Sequence, residues 1–275
     1  MARLLYGTLL RLLTPLYLLR LLWRSRREPL YRARLGERLG FARGDGVPRL
    51  WLHAVSLGET RAAAALVEAL RAARPGLALL LTHGTATGRD AGAALLRDGD
   101  AQAWLPYDTP GAVRRFLAAQ RPLAGVIMET EVWPNLLHEA AAAGVPMVLA
   151  NARLSERSLR KGLRLAALMR PAAAHFALAL AQTEADARRL AEAGVRQVRV
   201  LGNLKFDMNP APALLAAGRA WRAAPRPVLL FAVSREGEEA MLLDAWLRRP
   251  APRPLLLLVP RHPQRFDEVA ALVQA

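Results

Sequence analysis

The chain has 275 residues, 53% of them hydrophobic, which is enough to bury one large core or two smaller ones. It contains no cysteine, which excludes a disulfide framework and thiolate metal sites and fits a reducing compartment. The formal net charge of +16 indicates a phosphorylated ligand, an anionic membrane surface or nucleic acid as the partner.

The first segment, Leu4 to Trp23, reads "LLYGTLLRLLTPLYLLRLLW" and is about one bilayer span long at helical rise. Arg11 and Pro15 interrupt it, and it lacks the small-residue cleavage site of a removable signal peptide. We expect residues 1–28 to form a membrane anchor, either a short span or an in-plane helix, with a buried first helix as the alternative. A basic run that favours the cytoplasmic side and anionic lipid follows: Arg24, Arg26, Arg27, Arg32 and Arg34.

Beyond the anchor, seven apolar segments alternate with helical ones. The segments are "RLWLHAV", "LALLLTH", "AQAWLPYD", "AGVIMETE", "VPMVLANA", "FALALAQT" and "QVRVLGN". Their apolar runs are continuous rather than alternating, which indicates strands covered on both faces. The alternation of strands and helices predicts an α/β fold with a parallel, doubly wound sheet. The intervening helices are predicted to start near Glu59, Arg89, Pro110, Pro134, Ser155 and Glu184.

The pattern changes at about Asp207. "MNPAPALLAAGRAWRAAPRP" is rich in proline and alanine and indicates a connection. A second series follows, with strand "PVLLFAV", a helix from Glu236, strand "PLLLLVP" and helix "QRFDEVAALVQA". Two strands and two helices are few for an independent doubly wound domain. We therefore expect a first domain at 29–206 and only part of a second domain at 207–275.

Polar side chains collect at the predicted strand ends, where ligands bind in parallel sheets. No G-x-G-x-x-G or Walker loop and no G-x-S-x-G elbow is present, and the five histidines do not fall at metal-ligand spacings, so no metal site is predicted. With basic residues near the domain boundary, the pattern suits a cleft in which a base meets an anionic donor. The strand-end residues are Ser56, Gly58 and Glu59, then Thr82, Thr85 and Thr87, then Glu129 and Glu131, then Asn151 and Arg153.

Six motifs carry a family resemblance: "HAVSLGET", "LPYDTP", "METEVWPNLL", "ANARLS", "LGNLKFD" and "LVPRHPQRF". In this order and spacing they resemble the bacterial 3-deoxy-D-manno-octulosonic acid (Kdo) transferases. The resemblance implies a two-domain GT-B fold and a cofactor-free, metal-independent, inverting transfer from CMP-Kdo to lipid A precursor (lipid IVA). It also implies an enzyme of the bacterial inner membrane that faces the cytoplasm beside anionic lipid.

The resemblance also assigns roles to five residues. It makes Glu59 the general base, gives Glu129 and Lys205 to transition-state stabilisation, and gives Arg261 and His262 to CMP. A cytidine phosphate leaves without a general acid, so one base suffices. Because Glu59 opens a helix, the helix dipole should favour its ionised form at neutral pH. The alternatives are a helix-start charge for Glu59 and an ordinary loop lysine for Lys205.

Other interpretations stay open. Glu131 could serve catalysis or a helix start. The chain could be a GT-B glycosyltransferase for another nucleotide sugar, or a non-catalytic basic membrane-surface protein. A nucleic-acid partner is not expected, because aromatics are only 6% and the arginines are scattered over all helices. The family's later glycine-rich donor motif does not occur before Ala275, which agrees with a second domain that is only partly present.

Overall fold

The chain forms two compact units. A computed structural model describes residues 1–207, 212–222 and 226–274. The units are Met1–Met208 and Asn209–Ala275.

The first unit is built on a seven-stranded sheet in which every neighbouring pair is parallel. This confirms the predicted doubly wound architecture. The spatial order is β3-β2-β1-β4-β5-β6-β7, so the direction of winding reverses between β1 and β4. Ligands of such sheets bind in the crevice at that switch point. The strands are β1 Leu50–His53, β2 Leu79–His83, β3 Ala101–Trp104, β4 Ala124–Met128, β5 Met147–Ala152, β6 Phe176–Ala181 and β7 Val198–Val200.

Eight α-helices accompany these strands within the described part of the first unit. The third begins three residues before the predicted Arg89, because Thr85 Oγ1 accepts the Gly88 N–H at 3.1 Å and caps the helix earlier. The helices are α1 Ala2–Arg24, α2 Leu57–Ala73, α3 Ala86–Ala93, α4 Pro110–Gln120, α5 Pro134–Ala142, α6 Glu156–Leu163, α7 Ala166–Ala173 and α8 Glu184–Glu192.

Both faces of the sheet are buried, as the continuous apolar strands indicate. Neighbouring side chains of a strand point to opposite faces. Trp51 therefore joins the cluster under α4 and stacks edge-on against Phe116 with ring centroids 5.1 Å apart. The next residue, Leu52, packs in the cluster on the other face with Val67 of α2. Because side chains pack against both faces of the sheet, the ends of the strands are held in fixed positions relative to one another.

Helix α1 has two different sides. One side packs on the first unit, where Gly7 is buried against Pro110 and the Tyr6 hydroxyl donates to Asp108 Oδ2 at 3.0 Å. The opposite side is apolar and exposed. Helix α1 is the one described helix that is long and apolar enough to cross a membrane, with mean hydropathy 1.3. The exposed apolar residues are Leu4, Leu5, Leu9, Leu12, Leu16, Leu19, Leu22 and Trp23.

The second unit contains a parallel pair of strands, β8 Val228–Ser234 and β9 Leu255–Pro260. The segment expected to be a connection contains a helix, α9 Pro212–Trp221. Alanine and leucine favour helix, and Pro212 stands at its start, where proline costs no hydrogen bond. Residues 208–211 and 223–225 of that segment lie outside the described residues. The remaining helices are α10 Glu238–Leu247, which starts two residues after the predicted Glu236, and α11 Phe266–Gln274.

Candidate active site

The turn from β1 into α2 holds Glu59 by both carboxylate oxygens. Ser56 is the N-cap of α2, and its Oγ accepts the Glu59 N–H at 3.4 Å. The Ser56 hydroxyl donates to Glu59 Oε1 and the Val55 N–H donates to Oε2, each at 2.8 Å. Serine and glutamate three residues apart form a capping box. The carboxylate is thus fixed in place at the carboxyl end of β1.

The pKa of Glu59 is shifted in the direction opposite to that expected from the helix dipole. Burial raises the pKa of this carboxyl above its usual value, and the nearby Glu129 raises it further. The hydrogen bonds from Val55 and Ser56 act in the opposite direction but are outweighed. The helix dipole was expected to favour the ionised form, and desolvation dominates instead. A raised pKa makes Glu59 a stronger base once it is ionised.

The loop that follows β2 is hydrogen-bonded to the turn between β1 and α2 and holds it in place. The Val55 carbonyl accepts from the N–H groups of Gly84 and Thr85 and from Thr85 Oγ1, all at 3.0–3.1 Å. Gly88 permits this approach, because a Cβ there would lie 3.0 Å from the same carbonyl oxygen. Thr82 is fully buried and accepts from Trp51 Nε1 at 2.8 Å. Thr82 and Thr85 are therefore structural supports.

Two more carboxylates follow β4. Glu129 has φ +61°, a left-handed conformation unusual outside glycine, and it turns the chain sharply at the strand end. Burial raises the pKa of Glu131 to about 6, and the charges of Glu59 and Glu129 add to the shift. The charge of Glu59, which follows β1, raises the pKa of Glu131, which follows β4. The three carboxylates therefore lie within electrostatic range of one another at the switch point.

Lys205 lies against this group. Its Nζ is 3.7 Å from Glu129 Oε1, so the structure brings together two of the residues singled out in the sequence. The lysine belongs to a short 3₁₀ turn, Leu204–Asp207, whose Leu204 N–H donates to Asn151 Oδ1 at 3.1 Å. Asn151 itself has φ +52°, a left-handed conformation that asparagine adopts more readily than most residues. Asn151 is therefore a residue that positions Lys205.

The second unit contains Arg261 and His262, directly after β9. Both are exposed. The Arg261 N–H donates to the Ser234 carbonyl at 3.0 Å, and the His262 carbonyl accepts from the Arg265 N–H at 3.0 Å. Their side chains are thus presented at the carboxyl ends of the β8–β9 pair, where a doubly wound fold binds ligands.

Asp108 is a buried residue whose importance the sequence pattern did not reveal. It accepts the N–H groups of Asn135 and Leu136 at 3.1 and 2.7 Å and so caps α5 from a distant loop. It also accepts the Tyr6 hydroxyl and joins α1 to the body. Burial raises its pKa to about 6. The only sign of its role in the sequence was its place in "LPYDTP". A residue that caps a helix far along the chain produces no recognisable spacing between neighbouring residues.

No group of three or more histidine, cysteine, aspartate or glutamate side chains suited to hold a metal ion occurs among residues 1–207, 212–222 and 226–274. The charged groups at the switch point are instead three carboxylates and one ammonium. A base, a second carboxylate and an ammonium group at one strand edge can deprotonate a hydroxyl and balance charge on a leaving phosphate.

Solved structures share this architecture. UDP-GlcNAc 2-epimerase from Neisseria meningitidis, bound to UDP-GlcNAc, is similar with a TM-score of 0.55 at 14% identity, over 83% of this chain and 69% of that one. A putative UDP-N-acetylglucosamine 2-epimerase from Listeria monocytogenes also gives 0.55 at 14% identity, over 82% and 66%. The fold is of the GT-B type.

Sequence comparisons are more specific. Residues 33–208 match the family described as 3-deoxy-D-manno-octulosonic-acid transferase (kdotransferase). The 3-deoxy-D-manno-octulosonic acid transferase of Bordetella pertussis is 49% identical, over all of this chain and 68% of its own length. The enzyme of that name from Haemophilus influenzae is 35% identical, over all of this chain and 66% of its own length. The chain thus spans about two thirds of these relatives, and it belongs to the 3-deoxy-D-manno-octulosonic acid transferase family.

Proposed function

We propose that the full-length gene product transfers Kdo from CMP-Kdo to the lipid A precursor lipid IVA in lipopolysaccharide synthesis. The observation that carries the proposal is the group at the switch point of the first unit. There a carboxylate anchored at the end of β1 shares its environment with a carboxylate–lysine pair at the end of β4. Membership of the family is the reason to propose Kdo as the transferred sugar. The geometry at the strand ends is the reason to propose the roles of the carboxylates and the lysine.

Glu59 is the general base of this reaction. An acceptor hydroxyl attacks the anomeric carbon of Kdo, its proton passes to Glu59, and the bond from that carbon to the CMP phosphate breaks with its electron pair on oxygen. The product is the inverted glycoside plus CMP. The Ser56 hydroxyl, which donates to Glu59 Oε1, is a free rotor and can release that oxygen for the proton.

Lys205 and Glu129 balance the charges that develop. The sugar gains positive character as the phosphate departs, and a carboxylate such as Glu129 stabilises it. The Lys205 ammonium is half exposed and its 3.7 Å contact with Glu129 is loose, so it can move to the leaving phosphate. This cation, which belongs to the protein itself, is our reason to propose a metal-independent reaction. Arg261 and His262 contact CMP in the proposal, a role that rests on the family motif.

Helix α1 is proposed to lie in the plane of the inner membrane, on its cytoplasmic face. One side of α1 packs on the first unit while the opposite side exposes a row of leucines. Arg11 and Arg20 are exposed and border this row, where their charges can reach lipid headgroups. Arg26 and Arg27 are exposed without a salt bridge to any residue that the structure describes. They suit anionic lipid.

The test is a donor panel. The full-length gene product is incubated with lipid IVA and either CMP-Kdo or a UDP-linked hexosamine. The mass of the lipid product is then measured by mass spectrometry. We expect the mass of Kdo to be added from CMP-Kdo alone, with EDTA present or absent. Transfer of the hexosamine would identify a glycosyltransferase for another nucleotide sugar. A protein that binds vesicles but uses neither donor would be a non-catalytic membrane-surface protein. Loss of transfer in EDTA would contradict metal independence.

A further inference from the structure

The first unit contains an apolar cavity of about 510 Å³ beside the carboxylate group. Strand β5 forms one wall, and helices α6, α7 and α8 form the others. Its apolar lining includes Leu149, Leu154, Leu159, Met169, Ala173 and Val195.

The cavity adjoins the proposed reaction centre through the chain after β4. Thr130 and Glu131 both line it, and they immediately follow Glu129. Glu131 also interacts electrostatically with Glu59. A molecule whose apolar part fills the cavity would therefore bring its polar part close to the base.

One wall of the cavity is in contact with the helix that carries the exposed leucine row. Helix α7, whose Met169 and Ala173 line the cavity, contacts α1. Leu165, at the start of α7, lines the cavity and is 60% exposed, so apolar surface continues from the cavity to the outside. Lys161 and Arg170 line it as well, both exposed, and provide cations for an anionic headgroup.

We propose that this cavity binds one acyl chain of the lipid acceptor and thereby holds the acceptor hydroxyl at Glu59. The proposal deepens and rests on the proposed function, because it takes the acceptor to be an acylated glycolipid. A nucleotide does not suit the cavity, since most of the side chains that line it are apolar. A flexible hydrocarbon chain suits it, and an anionic headgroup complements the two cations.

The test uses a substitution that fills the cavity. Gly162 lines the cavity from α6, and a Cβ added there meets nothing within 4 Å, so Gly162→Phe should fold normally. Ala193→Met fills the cavity from the α8 side and provides a second, smaller obstruction. The matched control is Gly76→Phe. Gly76 lies in the exposed turn before β2, and a Cβ there also meets nothing within 4 Å.

Initial rates are measured with the full-length protein on acceptors whose acyl chains are shortened in steps, with a fully deacylated acceptor as the end point. For the wild type and Gly76→Phe, each methylene removed should lower kcat/KM by about fourfold until the chain no longer reaches the cavity. Gly162→Phe should lose this dependence and raise KM for the longest chain at least about tenfold. Its rate on the deacylated acceptor should equal that of the wild type.

The same dependence on chain length in Gly162→Phe and Gly76→Phe would overturn the proposal. A wild type that transfers Kdo to no acceptor would refute the proposed function instead, and the cavity is then tested by direct titration with the fluorescent fatty acid cis-parinaric acid. Binding that is at least about tenfold weaker in Gly162→Phe than in Gly76→Phe supports an acyl-chain site. Equal binding in the two variants overturns it.

Discussion

Substitution of Glu59 by glutamine separates the base from the helix cap. Glutamine has the same shape, so its oxygen can accept the Val55 N–H and its amide can donate to Ser56 Oγ in place of the present bonds. The capping box therefore remains, and the free energy of unfolding should change by no more than about 1 kcal/mol. The proton acceptor is lost. We expect transfer to fall by about two to four orders of magnitude, equivalent to about 2.7–5.5 kcal/mol of barrier.

The assay is Kdo transfer to lipid IVA under single-turnover conditions, together with thermal unfolding of the same preparations. Ser56→Ala is the matched control, because it removes the cap and leaves the carboxylate. It should cost about 1 kcal/mol of stability, and it should lower transfer far less than Glu59→Gln does. A Glu59→Gln protein that retains more than about a tenth of wild-type transfer would show that the residue only caps α2.

Three further predictions concern other parts of the molecule. Lys205→Arg should lower kcat at least about tenfold, since a wide guanidinium replaces a compact ammonium; a kcat equal to that of the wild type would make Lys205 an ordinary surface charge. Leu12→Lys with Leu16→Lys on the exposed side of α1 should release the protein from membranes in high salt without lowering its Tm, and continued sedimentation would place the anchor elsewhere. Glu37→Ala should lower the free energy of unfolding by about 3–5 kcal/mol in a denaturant titration, because the Glu37 carboxylate accepts a hydrogen bond from the buried Arg89 guanidinium at 2.8 Å. An unchanged midpoint of unfolding would contradict this.

The elements of the fold could be predicted because their signals are local. Continuous apolar runs gave the strands, and caps such as Ser155 gave helix starts. Strand order is not local: that β1 lies beside β4 depends on packing across the whole sheet. The rule that polar residues gather at parallel strand ends nevertheless predicted that Glu59 and Glu129 would be close.

What escaped prediction depends on long-range contacts and burial. Asn151 was singled out as one of the polar residues at the strand ends, and only the folded chain reveals that its amide oxygen holds the turn of Lys205. The raised pKa of Glu59 follows from desolvation, which the sequence does not encode at any single position. The two sides of α1 were hidden because Gly7 and Tyr6 find their partners about a hundred residues away.

The role of Glu59 as the proton acceptor can be tested through the pH dependence of kcat/KM. A base works only when ionised, so transfer should rise with pH through the pKa of Glu59 and then level off. Glu129 raises that pKa and the Ser56 hydroxyl lowers it. We therefore expect Glu129→Gln to move the acidic limb to lower pH and Ser56→Ala to move it to higher pH, whatever either variant does to the maximal rate. A limb that stays in place in both variants, or moves in the same direction in both, would show that Glu59 is not the proton acceptor.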